Sequence, residues 1–320
     1  MTELGHAKTD EEAAVEALIA QVPQWAASAP SYAPLCPDVV SPMHRGVAGA
    51  LWLVKAGGDA AGVLKVPRPD MDGLFDRAAG VTGAQLAGKT GAGPSIIWAD
   101  ADGGAVAMEH LGEGWRTANL ADLQEPGMMQ AVLDTSRAFQ AGEALPVRFD
   151  VFAEIHALQA RLAATNIALP TDGWWMLKQA GAIEKAIVAA GYDLVPCRND
   201  GVSSNIMIGP EGAVRLLDYD RAGMNDPAYD LAVLLTEVCA FISEREPYVE
   251  HWAGRADIRL LNRTVAYGAA DDLMWALWAM LSAETSPRVH VEFRKYAEWR
   301  LLRCRQAMLQ PQFEERLRKL

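Results

Sequence analysis

The apolar residues follow a mainly strand-like pattern in the β-rich part before residue 112 and a mainly helical period after it, and that difference decides which elements the two parts can form. Before it, LWLVKAGG (51–58) and AAGVLKVP (60–67) flank a Gly-Gly-Asp turn and predict a hairpin. SIIWADADGGAVAMEHL (95–111) predicts strand, turn at Asp102-Gly103-Gly104, strand. A helix is expected over 10–28, capped by Thr9 or Asp10, and another over 72–89. The four prolines in 30–45 predict an irregular connection. After residue 112 the period is helical over 118–141, 150–165, 173–190, 227–243, 257–285 and 290–309. One hairpin, NIMIGPEGAVRLLD (205–218), interrupts them with its turn at Gly209-Pro210-Glu211-Gly212. The expectation is an α+β chain in two lobes, β-rich over 1–112 and helical over 113–320. Clefts between lobes are favoured sites for small ligands.

Composition narrows the partners. The 320 residues are 51% hydrophobic with ten Trp, enough for a large core, and carry a net charge of −12. An acidic surface repels nucleic acid phosphates and anionic lipid, so neither is expected, whereas an acidic cleft favours a cationic small molecule. Cys36, Cys197, Cys239 and Cys304 form no C-x-x-C pair, and the six His are scattered, which argues for reduced thiols and against zinc. No stretch reaches about 18 uninterrupted apolar residues, and MTELGHAKTDEEAAVEAL lacks an apolar leader core, so a soluble cytoplasmic protein is expected.

One short motif invites a phosphate-binding reading. GAQLAGKT (83–90) fits G-x-x-x-x-G-K-[ST]. Such a loop needs a strand before it and a helix beginning at its Lys. Here LFDRAAGVT precedes it, which is helix-like, and Gly91, Gly93 and Pro94 follow. The stretch therefore reads as the end of a helix, with Lys89 in the last turn and Gly91 just past it.

The segment that carries chemistry is PCRNDGVSSNIMIGPEGAVRLLDYDRAGMNDPAYDL (196–231). Asp200 and Asn205 share one loop, and Asp218 follows the hairpin. Phosphoryl transfer to a hydroxyl needs a carboxylate to take the proton and oxygen ligands for Mg²⁺, and these residue types supply both. Asp226, before Pro227, is expected to cap the next helix, and Asp230 to organise the loop.

The run D-x-x-x-x-N, then L-L-D-Y-D, then A-G-M-N-D-P-A-Y-D-L-A resembles the choline/ethanolamine kinase branch of the aminoglycoside phosphotransferase superfamily. The late segments LMWALWAMLSAE and FRKYAEWRLLRC resemble its C-terminal helices. The resemblance, from about residue 46 onward, implies a bilobal protein-kinase-like fold and an ATP- and Mg²⁺-dependent kinase of a small cationic alcohol, choline or ethanolamine. It implies Asp200 as the base, Asn205 and Asp218 as Mg²⁺ ligands, Lys65 at the α- and β-phosphates, and Glu109 and Leu111 at the adenine.

Three positions depart from the family. Arg198 stands where a His is usual, RGVAG (45–49) lacks the usual Asn, and Gly80 stands where the small-lobe helix should offer Lys65 a Glu. Asp76, four residues before Gly80, is the expected replacement. These departures keep open a non-catalytic ligand-binding protein on the same fold, as well as a kinase of an aminoglycoside, thiamine or other alcohol; a P-loop NTPase is a more distant reading. For the acceptor, Trp275 and Trp278 at i, i+3 are expected to form a cation cage with Tyr219, Asp220 and Tyr296, or else to pack the core. Glu284 and Trp299 are further candidates, and Trp174-Trp175 is expected to pack its helix.

Overall fold

The structure, a computed structural model, describes residues 1–36, 46–57 and 59–320. Most of the expected connection after Cys36, Arg45 of RGVAG and Gly58 of the first hairpin turn lie outside the described residues.

The first lobe runs β1 (Thr2–Glu3), α1 (Asp10–Ile19), α2 (Pro23–Ala26), β2 (Ser31–Pro34), β3 (Gly49–Ala56), β4 (Asp59–Pro67), α3 (Arg77–Thr90), β5 (Ile96–Ala99) and β6 (Val106–Met108). Its strands form one antiparallel sheet in the order β1-β2-β3-β4-β6-β5. Lys65 stands on β4, between Leu51 of β3 and Val106 of β6. The helix expected over 10–28 stops at Ile19 and restarts at Pro23, whose missing N–H suits a first helical turn. Ser31–Pro34, expected to be irregular, pairs as a strand because buried Tyr32 packs against Trp52 and donates to Glu16 Oε1 at 2.8 Å.

The second lobe is helical. It runs β7 (Arg116–Thr117), α4 (Leu120–Gln124), α5 (Pro126–Gln140), α6 (Val151–Ala164), α7 (Gly173–Ala190), β8 (Val195–Cys197), β9 (Ile206–Ile208), β10 (Val214–Leu216) and β11 (Gly223–Asn225). It closes with α8 (Pro227–Val238), α9 (Ile242–Ala253), α10 (Ile258–Thr285), α11 (Phe293–Met308) and α12 (Phe313–Leu317). The helix expected over 118–141 divides at Pro126, and α9 and α12 were not expected. α10 is the spine: nearly every residue from Leu261 to Leu281 is buried, and it packs on α6, α8 and α11. No helix among the described residues is long and apolar enough to cross a membrane.

GAQLAGKT is the C-terminal part of α3, as its flanks predicted. The helix is already running at Arg77, Thr90 Oγ1 donates to Leu86 O at 3.1 Å, and Gly91 ends it at φ +72°, where a side chain is disfavoured. The glycines of α3 serve its packing. A Cβ on Gly83 would stand 2.3 Å from Ala222 Cβ, and one on Gly80 would stand 3.2 Å from Asp220 Cα. The small-lobe helix therefore lies directly on the segment that follows Asp218.

This packing predicts opposite outcomes for two helical glycines. Gly83→Ala should cost about 1–3 kcal/mol through overpacking. Gly181→Ala, in α7 with nothing within 4 Å of the new Cβ, should gain roughly 0.5–1 kcal/mol. Urea unfolding of the two variants measures both.

Candidate active site

Two adjoining cavities lie where the lobes meet. The larger, about 1160 Å³ with open solvent included, runs from Gly46–Gly49 and Lys65 past Met108–Leu111 to Leu217 and Asp218. The smaller, about 670 Å³ measured the same way, is lined by Asp200, Asp220, Arg221 and a group of aromatic side chains. Asn205 and Asp218 line both.

The loop bearing Asp200 is held by a buried polar network. Asp230 accepts from Arg198 N at 3.2 Å, Asn199 N at 2.7 Å and Gln140 Nε2 at 3.1 Å. Asn199, at φ +61°, donates to Arg221 O at 2.8 Å and accepts from Asn225 Nδ2 at 2.8 Å. Buried Arg198, the unusual residue two before Asp200, donates to Leu217 O at 2.9 Å and to Asp200 O, tying the loop to the strand end beneath it. Asp226 caps α8 through Ala228 N at 2.9 Å, as expected from Pro227.

Asp200 itself is oriented at both oxygens. Val202 N donates to Oδ1 and Asn205 Nδ2 to Oδ2, each at 2.7 Å. Burial pushes its pKa above the usual carboxylate range, with Asp218 adding to the shift and Arg198 opposing it. A carboxylate so placed is a stronger base than a solvated one.

Lys65 bridges the lobes. Its Nζ lies 2.8 Å from Asp218 Oδ1 and 2.6 Å from Asp220 Oδ1. Burial alone would lower the ammonium's pKa, but the two carboxylates carry it above its ordinary value. Burial likewise favours the protonated form of Asp218, and Lys65 overrides it and holds the carboxylate below its usual range. Asp220 is pushed up to about 6, chiefly by burial and then by Asp218. Asp218 adopts φ +63°, a conformation Asp tolerates better than most residues.

The expected pairing of Lys65 with Asp76 is not what forms. Asp76 accepts from Ala79 N at 2.9 Å and caps α3, and Lys65 takes Asp220 instead. Gly80 explains the exchange, because only a small residue lets Asp220 reach the place where a helical Glu would stand.

The donor set suits Mg²⁺. Asn205 spends its Nδ2 on Asp200, so its carbonyl oxygen is left for a ligand, and with the Asp218 carboxylate it faces both cavities. Among the described residues no group of three or more His, Cys, Asp or Glu could hold a metal alone. Two protein oxygens completed by phosphates and water is an arrangement Mg²⁺ favours. Glu109 and Leu111 line the far end of the larger cavity, where Glu109 N donates to Ser95 O at 2.9 Å.

The smaller cavity brings Trp275, Trp278, Tyr296 and Asp220 together, as expected, and adds Phe75 and Phe293. Trp275 meets Trp278 edge-on at 5.2 Å and Tyr296 at 6.5 Å between ring centroids. Tyr219 is not with them; it is buried on the opposite side against Phe139, at 5.1 Å, because the left-handed backbone at Asp218 turns the chain just before it. Glu284 pairs with Arg294 at the surface, and Trp299 is 43% exposed beside Arg300 and Arg303. Trp175 packs on the core while Trp174 is exposed.

Arg221, which the sequence reading did not single out, occupies the place expected for a ligand cation. Its guanidinium lies 4.4 Å from the Trp275 ring centroid and 4.9 Å from that of Phe75. A quaternary ammonium in the same box would stand beside a like charge, which opposes its binding, and Glu154, Asp200, Asp218 and Asp220 offset that repulsion only in part, being paired with protein groups.

The sequence profile of the phosphotransferase enzyme family matches residues 40–261. The chain belongs to the phosphotransferase enzyme family. Probable choline kinase 2 of Arabidopsis thaliana is 22% identical to this phosphotransferase over 256 residues, 71% of this chain and 72% of the relative. A choline/ethanolamine kinase family protein from Mesorhizobium loti has the same fold, with a TM-score of 0.79 at 24% identity over 96% of this chain and 98% of that one. The choline kinase LicA of Streptococcus pneumoniae superposes with a TM-score of 0.74 at 19% identity, over 94% and 99%, and another structure of LicA is a complex with AMP.

The loop network predicts that Asp230→Ala, which strips two buried backbone N–H groups of their acceptor, lowers stability by about 3 kcal/mol or more. Urea unfolding against the parent protein measures the loss, and a change below about 1 kcal/mol contradicts the bracing role.

Proposed function

We propose that this phosphotransferase is an ATP- and Mg²⁺-dependent kinase that phosphorylates the hydroxyl of a small alcohol. One observation carries the reading: Asn205 and Asp218 line both cavities, with Lys65 on one side and Asp200 on the other. A nucleotide in the larger cavity, its adenine near Glu109 and Leu111, would present its phosphates to Lys65. Asn205 and Asp218 would hold Mg²⁺, which neutralises charge developing on the phosphate oxygens. Asp200 would take the acceptor's proton as the oxygen–phosphorus bond to ADP breaks and the bond to the acceptor oxygen forms. ATP is a cytoplasmic metabolite, which favours a cytoplasmic enzyme.

The finer reading, a small cationic alcohol such as choline or ethanolamine, has the aromatic side chains and the relatives' names in its favour. Against it stands the guanidinium of Arg221 over Trp275. A non-catalytic reading loses its main motive, because Asp220 supplies the carboxylate that Gly80 does not.

Asp200→Asn should lower turnover by about 100–10,000-fold, the usual worth of a positioned base, while Mg·ATP affinity stays within about threefold. A coupled ADP-release assay and a nucleotide titration measure the two; near-parental turnover contradicts the assignment.

A further inference from the structure

Arg221 is buried, at 8% exposure, yet its hydrogen bonding is incomplete. Its Nη1 reaches Glu154 Oε2 at 3.5 Å, a long contact, and Met274 Sδ at 3.6 Å, a weak acceptor. Its Nε and Nη2 are buried and have no hydrogen-bond partner among the described residues. These two nitrogens share one edge of the guanidinium, and their N–H bonds run parallel, which is the fork that receives a carboxylate in bidentate fashion. Neighbouring carboxylates do not satisfy it: Asp220 and Asp218 are spent on Lys65, and Asp200 accepts from Val202 and Asn205. The faces of the guanidinium are meanwhile sandwiched, with Trp275 at 4.4 Å, Phe75 at 4.9 Å and Phe149 at 5.8 Å. This fixes the group in the wall of the cavity that also holds Asp200.

A buried arginine edge without an acceptor is costly unless a ligand completes it. We infer that Arg221 is the specificity-determining residue of the acceptor cavity, and that the acceptor is a small hydroxy acid whose carboxylate pairs with Nε and Nη2 while its hydroxyl reaches Asp200. The aromatic side chains then enclose the acceptor's carbon skeleton and hold the guanidinium, and they do not form an open cage for an ammonium group. The inference rests on the kinase reading and names its substrate class. Lys65, together with a metal at Asp218, offsets the carboxylates in the cavity, so an anionic acceptor is not repelled.

The test is direct binding, which does not depend on turnover. Trp275 and Trp278 line the cavity, so intrinsic fluorescence in the presence of Mg²⁺ and a non-hydrolysable ATP analogue serves as the readout. Glycolate, D-glycerate, L-serine, 4-hydroxybutyrate and L-malate are titrated against ethanolamine and choline. L-Serine and ethanolamine differ by one carboxylate, so that pair isolates the group in question. At least one acid should bind tenfold or more tightly than either amine. Arg221→Gln should weaken that acid tenfold or more, and Arg221→Lys, which keeps the charge without the fork, should fall between, with folding checked by circular dichroism. If the variants do not fold, the selectivity of the parent protein still decides. Choline or ethanolamine binding more tightly than every acid, acid affinity unchanged in a folded Arg221→Gln, or no acid bound at all would overturn the inference. Loss of Mg²⁺-dependent ATP binding would instead overturn the kinase reading, so the two failures are separable.

Discussion

The ion cluster of Lys65 with Asp218 and Asp220 is the contact on which the rest of the site depends. It joins the central strand of the first lobe to a segment of the second, and all three side chains are largely shielded from water. Charges so placed persist only when each has its partner. The cluster in turn requires α3 to lie close above it, and Gly80 and Gly83 make that approach possible. Glycine costs helix propensity at each position, so the packing offsets a local disadvantage.

Two residues around the site hold a backbone conformation they would not adopt alone. Asn199 and Asp218 both have positive φ, and each is held by hydrogen bonds from elements distant in sequence. Such conformations cost of order 1–3 kcal/mol each and persist only where the surroundings overdetermine them. Here they hold Asp200 and Asp218 in the walls of one cavity.

Local patterns proved legible in the sequence and long-range replacements did not. The two-lobe order, the hairpin over 205–218, the cap at Asp226 and the true nature of GAQLAGKT followed from turn residues, proline and flanking context within a few positions. Asp76 failed because both of its possible roles suit the start of a helix, and only tertiary packing shows that Asp220 is nearer to Lys65. Tyr219 was misplaced because the face toward which it points depends on the local backbone direction. Phe75, Phe293 and Arg221 reach the smaller cavity from three separate segments, and no spacing links them. The charge of Arg221 was visible in the sequence beside Asp220, but not its burial against Trp275. The helix expected over 118–141 broke at Pro126, a signal present in the sequence and outweighed by the apolar period around it.

The central claim is that the shared wall of the two cavities is a Mg²⁺-dependent nucleotide site. Isothermal titration of ATP with and without Mg²⁺, on the parent protein and on Asp218→Asn, tests it most directly. The account predicts saturable ATP binding that strengthens at least tenfold with Mg²⁺ and loses that dependence in Asp218→Asn. ATP binding that is absent, or that is indifferent to Mg²⁺ in the parent protein, would contradict it.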